Sequence, residues 1–541
     1  MPKRRRESAR GIASWRGSPP KCNGFARTSS TVRRQERDVK KTRIQTGSGS
    51  RRSCVNAPVG MFLAKSYIAV GLQRTPTALA GARAMISRQP ACDGRVCILC
   101  FIGSASPGLQ NDPETMFQQS RAAGFMDRFE GVLHLHVLRG FDLGRPLGAF
   151  EEFFSLRKQI APSVIVVGAT IEGRIDPAQW LRAVHAVSRH HPLLRSVVRR
   201  ERDRRPAFYV RERVTLETAR VIPLDGADLD AFYASEIVRP FAPHDMPWRP
   251  SLFLGEERSI IVLSVDHTVS DGRGVVFLIE DLLTALTGND LMGSVALAPS
   301  HDHLLGLPPN NRYMRQPQER DAEGDGTTVH PAAPMAVPAI EHVSIGADGL
   351  ARIAAAAKRN ETTIHGALSA AILYSGARLS AQWRQEPISY VSPIDNRPFL
   401  GAPVRLGLFL SRSAGQFVAA SCDFWQLARK IRQDIISAST IARSAVHVGS
   451  LQAAMDPQMT PRQAFNLLQP WHLMVSNYGS LPIASSFGTM RISAVRPHVL
   501  SLPLSQTVSV ATIDGTLSMS NVGYALVPQL LTETRSLLES I

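Results

Sequence analysis

A two-part α/β architecture is what this 541-residue sequence predicts. Strand-sized β-branched runs alternate with amphipathic helical patterns from about Met126 onward. A stretch without any period, 298–339, divides that body into two parts of comparable size. No run of eighteen consecutive apolar residues exists, so no membrane-spanning helix is expected. With 44% hydrophobic and 20% charged residues, the chain has enough apolar material for a large core.

Taken in order, Val132 to Leu138 alternates as a short strand, and Val164 to Ile171 reads as a buried one. Asp176-Pro177 starts a helix whose Trp180, Val184 and Val187 share one face, and Pro192 ends it. A strand at Ala207 to Val210, a helix near Leu229 to Val238 and a strand at Ile260 to Val265 follow. After Gly272, Val275, Leu278, Ile279, Leu282 and Leu286 recur at helical spacing. Pro, Gly, Asn, Gln and acidic residues then crowd 298–339, which reads as an exposed linker. The second part has helices at Gly349 to Arg359 and Thr363 to Arg378, and strands near Ile388 to Ser392 and Val404 to Leu410. A long helix is expected from Phe424 to Arg443, strands around Leu473, Met490, Thr507 and Leu517, and a last helix from Val527 to Leu538.

The net charge of +17 is not spread evenly. Residues 1–60 hold 16 Lys and Arg against 3 acidic residues, whereas the last 421 residues hold 41 against 39. The body is therefore nearly neutral, and its charge offers no argument for nucleic-acid binding. Residues 1–125 read as a basic extension that cannot bury enough apolar surface to order itself. It reads as a targeting segment, as a basic arm for anionic partners, or as an upstream stretch before a true start at Met116 or Met126. Cys92, Cys97 and Cys100 have a spacing found in plant-type iron–sulfur proteins, but no suitably placed fourth cysteine accompanies them. Beyond them only Cys422 occurs, which argues against a disulfide-stapled secreted protein and for the cytoplasm.

Hydrolase, nucleotide-binding and zinc-protease signatures are missing: there is no G-x-S-x-G, no Walker loop and no H-E-x-x-H. His301-Asp-His303 lies in the linker and reads as a solvated loop, so no metal site is expected. One constellation stands out, Asp266-His267-Thr-Val-Ser-Asp271-Gly272, between an apolar strand and an amphipathic helix. A histidine leaving a buried strand is rigidly held, as a general base must be. Asp271 sits where it can fix the turn, and Gly272 permits a backbone shape that other residues resist.

This constellation resembles the H-H-x-x-x-D-G motif of the chloramphenicol acetyltransferase-like superfamily. That superfamily includes the condensation domains of nonribosomal peptide synthetases and the polyketide-associated acyltransferases. Further likenesses follow in family order: Leu143 to Leu147 with Glu151 to Phe154, His191-Pro-Leu-Leu-Arg195, Pro247-Trp-Arg249, Thr362 to Ala367, Pro393 to Pro398, and Val475 to Gly479. The resemblance spans about the last three quarters of the chain. It implies two chloramphenicol acetyltransferase-like halves, 126–297 and 340–541, each a mixed sheet with flanking helices and with a tunnel between them.

It also implies roles. His267 matches the general base, Asp271 the structural carboxylate, and Arg397 the arginine paired with it. Ser476 and Asn477 fall where strand-end groups line the tunnel or stabilise an oxyanion, Asp266 is expected in the tunnel as well, and a backbone N–H near Gly272 is another candidate. Asp266 replaces the first histidine of the family motif. A carboxylate there is expected to raise the basicity of His267, or else to mark a divergent or inactive member.

The implied activity is acyl transfer from a coenzyme A or carrier-protein thioester to a hydroxyl or amine. It needs no metal or redox cofactor, and the paired halves suit a monomer. A stand-alone condensation domain and a non-catalytic binding protein on a decayed transferase fold are the alternatives.

Overall fold

The computed structural model describes residues 141–541 except 201–204, 215–218, 290, 292, 311–335, 420–422, 468–469 and 502–504. The basic extension, the cysteine triplet and the strand expected at Val132 to Leu138 lie outside the described residues. Among the described residues, no helix is long and apolar enough to cross a membrane.

The first part runs β1 (Phe141–Pro146), α1 (Ala149–Arg157), β2 (Val164–Glu172), α2 (Pro177–His190), β3 (Ser196–Arg199), β4 (Ala207–Arg211) and β5 (Arg220–Pro223). It continues through α3 (Leu229–Val238), β6 (Trp248–Leu254), β7 (Arg258–Asp266), α4 (Gly272–Leu286) and the short α5 (His301–Leu304). The second part has β8 (Ala339–Ile345), α6 (Ala347–Arg359), α7 (Ile364–Leu379), α8 (Ala381–Gln385), β9 (Ile388–Asp395) and β10 (Leu410–Phe417). Then come α9 (Phe424–Ala438), α10 (Ile441–Ala454), α11 (Pro461–Asn466), β11 (Leu473–Ser480), β12 (Ser486–Phe487), β13 (Met490–Val499), β14 (Gln506–Ile513), β15 (Thr516–Gly523) and α12 (Leu530–Glu539).

Two six-stranded sheets result, ordered β12-β13-β2-β7-β6-β5 and β10-β9-β11-β14-β15-β8, with a small third sheet β1-β4-β3. The division by sequence at 298–339 is not the division by sheet. Strand β13, from the second part, lies antiparallel to β2 from Arg491↔Glu172 to Val499↔Ile165 and completes the first sheet. An edge of β2 rich in Val and Ile, buried on both faces, requires a neighbour to satisfy its backbone groups, and β13 supplies it.

Local chemistry explains most element ends. Asp176 caps α2 by accepting from Gln179 N at 2.8 Å, with Pro177 in the first turn. The helix expected from Phe424 to Arg443 is two helices. Ser439 Oγ donates back to Ile435 O at 2.7 Å and ends α9, and Thr440 accepts from Arg443 N at 3.2 Å to cap α10.

The strand expected at Val404 begins only at Leu410, because the backbone before it is committed elsewhere. Gly407 O accepts from Asp271 N at 3.0 Å, Phe409 N donates to Asp271 Oδ2 at 2.9 Å, and Arg397 Nη2 donates to Arg405 O at 2.8 Å. Gly407 also takes φ +142°, a conformation that favours glycine.

The expected exposed linker is corrected over its first residues. Asp302 is 4% exposed, and its Oδ2 accepts from Ala149 N at 2.9 Å, closing the start of α1 where Gly148 has no side chain to do so. A Cβ at Gly148 would stand 2.3 Å from that oxygen. His301 is buried against Asn396, Nε2 to Nδ2 3.2 Å, while Leu305 and Leu307 pack on Phe150, Leu408 and Val448. Single polar contacts and two leucines, not a periodic apolar face, hold this segment, so no pattern marks it in the sequence.

Candidate active site

The apolar run Ile260 to Val265 makes β7 a central strand, buried from Ser259 onward and pairing with β2 on one side and β6 on the other. Its end is therefore rigid. Asp266 N donates to Pro247 O at 2.9 Å, His267 N to Ser163 O at 2.8 Å, and Val269 N closes a turn on Asp266 O at 3.0 Å. The imidazole Nδ1 lies 2.9 Å from Ser270 O. A carbonyl only accepts, so Nδ1 carries the proton and Nε2 presents its lone pair. The ring stacks on Phe154 of α1, centroids 3.9 Å apart and planes 15° from parallel. Burial, the largest influence, lowers the His267 pKa to about 4, although the Asp271 carboxylate and the Ser270 carbonyl act in the opposite direction. The imidazole is thus neutral at physiological pH and able to accept a proton.

Asp271 faces away from this ring. Its Oδ1 accepts from Gly274 N at 2.9 Å and caps α4, while Arg397 grips both oxygens, Nη2 to Oδ1 3.0 Å and Nη1 to Oδ2 2.9 Å. Phe409 N adds a fourth bond. Burial alone would raise this carboxyl, but the Arg397 charge and the backbone donors outweigh it and hold the group below its ordinary value. The Asp271–Arg397 pair joins the His267 turn to the second part.

Two sequence expectations change. Asp266 does not serve His267: its Oδ2 pairs with Lys158 Nζ at 2.6 Å, and its Oδ1 accepts from Thr268 N at 2.9 Å. Lys158 lies one turn beyond Phe154 on the same segment. Gly272 is not among the positive-φ residues. What demands glycine there is proximity, since a Cβ would lie 2.0 Å from the Tyr478 hydroxyl and 2.3 Å from its Cζ.

His267, Asp271 and Gly272 line a cavity of about 350 Å³ together with Arg397, Ser476 and Asn477. Asp266 does not line it. Its lining comes from α1, the β7–α4 turn, β9, β10, β11 and α10. Asn477 Oδ1 accepts from Gly479 N at 2.7 Å and so stabilises its own turn, as strand-end asparagines often do. Ser476 is 9% exposed and bonds the Tyr478 side chain, whose phenol burial pushes up.

Sequence reasoning missed Phe154, Arg157 and Lys158. Phe150, Phe154 and Arg157 fall at i, i+4 and i+7, so the face they share was readable, but what it would meet was not. Arg157 is 4% exposed, donating to Pro162 O at 2.8 Å, to Ser163 Oγ at 2.6 Å and to Ser501 O. Burial lowers its pKa to about 10, which leaves it charged. No group of three or more His, Cys, Asp or Glu side chains that could hold a metal occurs among the described residues.

The architecture has relatives of known structure. Polyketide synthase associated protein 5 from Mycobacterium tuberculosis matches 74% of this chain and 98% of its own, with 19% identity and a TM-score of 0.52. The chain has the chloramphenicol acetyltransferase-like fold. The trichothecene 15-O-acetyltransferase from Fusarium sporotrichioides shares it over 74% of this chain and 97% of that one, at 12% identity and a TM-score of 0.56. So does the condensation domain of the monacolin K polyketide synthase MokA, over 74% and 98%, at 16% identity and a TM-score of 0.52. Residues 335–527 match the family model described as the phthiocerol/phthiodiolone dimycocerosyl transferase C-terminus. No curated protein matches the sequence. The chloramphenicol acetyltransferase-like fold thus frames a cavity in which a neutral histidine, an anchored turn and strand-end hydroxyls converge.

Proposed function

We propose that this chain is an acyltransferase that moves an acyl group from a coenzyme A or carrier-protein thioester to a hydroxyl or amine, with His267 as general base. The observation that carries the reading is the His267 ring itself. Nδ1 is spent on the Ser270 carbonyl, burial keeps the ring neutral, and the residue lines the cavity. The family match over residues 335–527 and the fold of the acetyltransferase support the class of reaction.

In this reaction the acceptor O–H or N–H bond breaks as its heteroatom bonds to the thioester carbonyl carbon, and the proton passes to Nε2. The tetrahedral intermediate then collapses, the C–S bond breaks, and the departing sulfur takes the proton from Nε2. The products are an ester or amide and a free thiol, so no oxidant or reductant is required. Asp271 and Arg397 are positioning residues, because both carboxylate oxygens are taken by Arg397 and by the backbone N–H groups of Gly274 and Phe409.

The test is thiol release from a panel of acyl-coenzyme A and acyl-carrier thioesters with alcohol and amine acceptors. The His267→Ala variant should lose about 10²- to 10⁴-fold in acceptor-dependent release while keeping its denaturation midpoint. A variant with full activity would remove His267 from its role. Release from carrier-bound esters alone would assign the chain to condensation-type chemistry.

A further inference from the structure

Four guanidinium groups line the cavity, those of Arg157, Arg273, Arg397 and Arg412, against two carboxylates, Asp271 and Asp395. The carboxylates are spoken for. Asp271 pairs with Arg397, while Asp395 pairs with Arg397 at 2.9 Å and lies 3.6 Å from Arg273 Nε. Arg157 is held by two carbonyls and a hydroxyl. Arg412, on β10 opposite Pro393, differs from all of these. It is partly buried, and among the described residues neither a carboxylate nor any hydrogen-bond acceptor engages it. Burial lowers its pKa, so part of its hydration is lost, and no group among the described residues replaces it.

The surface between Arg412 and His267 is aromatic. His267 stacks on Phe154 at 3.9 Å, Phe154 on Phe150 at 6.4 Å, and Phe150 meets the ring of His447 edge-on at 5.5 Å. The Arg412 charge acts on His447, whose buried Nδ1 has no partner among the described residues. Ring contacts therefore lead from the base to a histidine beside a cation that no described residue pairs.

We infer that Arg412 binds an anionic oxygen group, carboxylate or phosphate, of a substrate whose apolar portion lies along Phe150 and Phe154 and whose reacting atom reaches His267. Arginine suits this task because its planar fork engages two oxygens of such a group at once. The inference rests on the acyl-transfer reading for which atom reaches His267, but the anion site stands on Arg412 alone. The group belongs either to an acceptor, as in a hydroxy or amino acid, or to the phosphates of a coenzyme A donor.

Binding to the full chain separates these sources without requiring turnover. The probes are coenzyme A and a series of hydroxy acids, each paired with its methyl ester, measured by calorimetry on wild type, Arg412→Gln, Arg412→Lys and His267→Ala. Because Arg412 bonds to nothing among the described residues, Arg412→Gln should fold as wild type does, which its denaturation midpoint checks. Hydroxy acids that bind wild type about tenfold or more tighter than their esters, with the advantage lost in Arg412→Gln and partly restored in Arg412→Lys, place the anion on the acceptor. A similar loss confined to coenzyme A places it on the donor. Acid or coenzyme A binding should survive in His267→Ala, so a failed acyl-transfer reading leaves this result standing. If no anionic probe binds wild type, or if Arg412→Gln binds every probe as wild type does, Arg412 is not an anion site.

Discussion

Replacing Asp271 by Asn removes one charge and hardly any volume, which makes it a sharp test of whether this carboxylate builds the site or performs the chemistry. Four donors converge on its two oxygens: Gly274 N, Phe409 N and two nitrogens of Arg397. An asparagine has one acceptor oxygen, so whichever way the amide turns, its NH2 faces a backbone N–H and an arginine N–H. Arg397 then remains buried, with 9% side-chain exposure, and without its principal counter-charge. Breaking a buried pair in this way costs about 3–5 kcal/mol.

Urea denaturation followed by tryptophan fluorescence should show a loss of that size, since Trp180 and Trp248 report on the first core and Trp383 on the second. Thiol release should fall in parallel, because the Ser270 carbonyl that orients His267 belongs to the same turn. Arg397→Met should be milder, as Asp271 keeps both backbone donors. The double variant should cost less than the two singles combined. A variant Asp271→Asn as stable as wild type, yet inactive, would refute the structural role and place the carboxylate in proton transfer.

Four more outcomes follow from the geometry. The His267 pKa of about 4 places the acid limb of kcat/KM near pH 4 rather than near 6.5, and a limb at 6.5 would show that the ring is better solvated than its packing implies. Burial likewise lowers His301, His365 and His447 to about 4 and His498 to about 3. The unfolded chain then binds more protons between the ordinary value of about 6.5 and pH 4, so stability should be full above that range and decline as pH falls through it. Equal urea midpoints at neutral and mildly acid pH would contradict this. Asp266→Asn should lower stability by breaking the Lys158 pair while leaving the kcat/KM acid limb in place; a moved limb would show that Asp266 does act on His267. Gly272→Ala should impair folding and activity by driving a methyl into the Tyr478 ring, and adding Tyr478→Ala should relieve that clash; absence of relief would place the strain elsewhere.

The strands and helices were legible because burial imposes periods: Ile260 to Val265 has to be an interior strand, and Val275 to Leu286 has to face a core. His267, Asp271 and Gly272 were legible as a short motif, since a turn at a strand end is built by neighbours in the chain, whereas Arg397, 126 residues away, came only from the family resemblance. The rest depended on groups far apart in sequence. Strand β13 joins a sheet begun more than three hundred residues earlier, because β2 needs an antiparallel neighbour and no local pattern says which strand supplies it. Asp302 caps α1, Lys158 claims Asp266, and Tyr478 dictates the glycine at 272. The residue types, their spacing and the local turns were determined by the sequence alone. Which charges found partners, and that Arg412 found none among the described residues, was decided only by tertiary packing, because pairing between buried charges depends on distances that the order of residues does not contain.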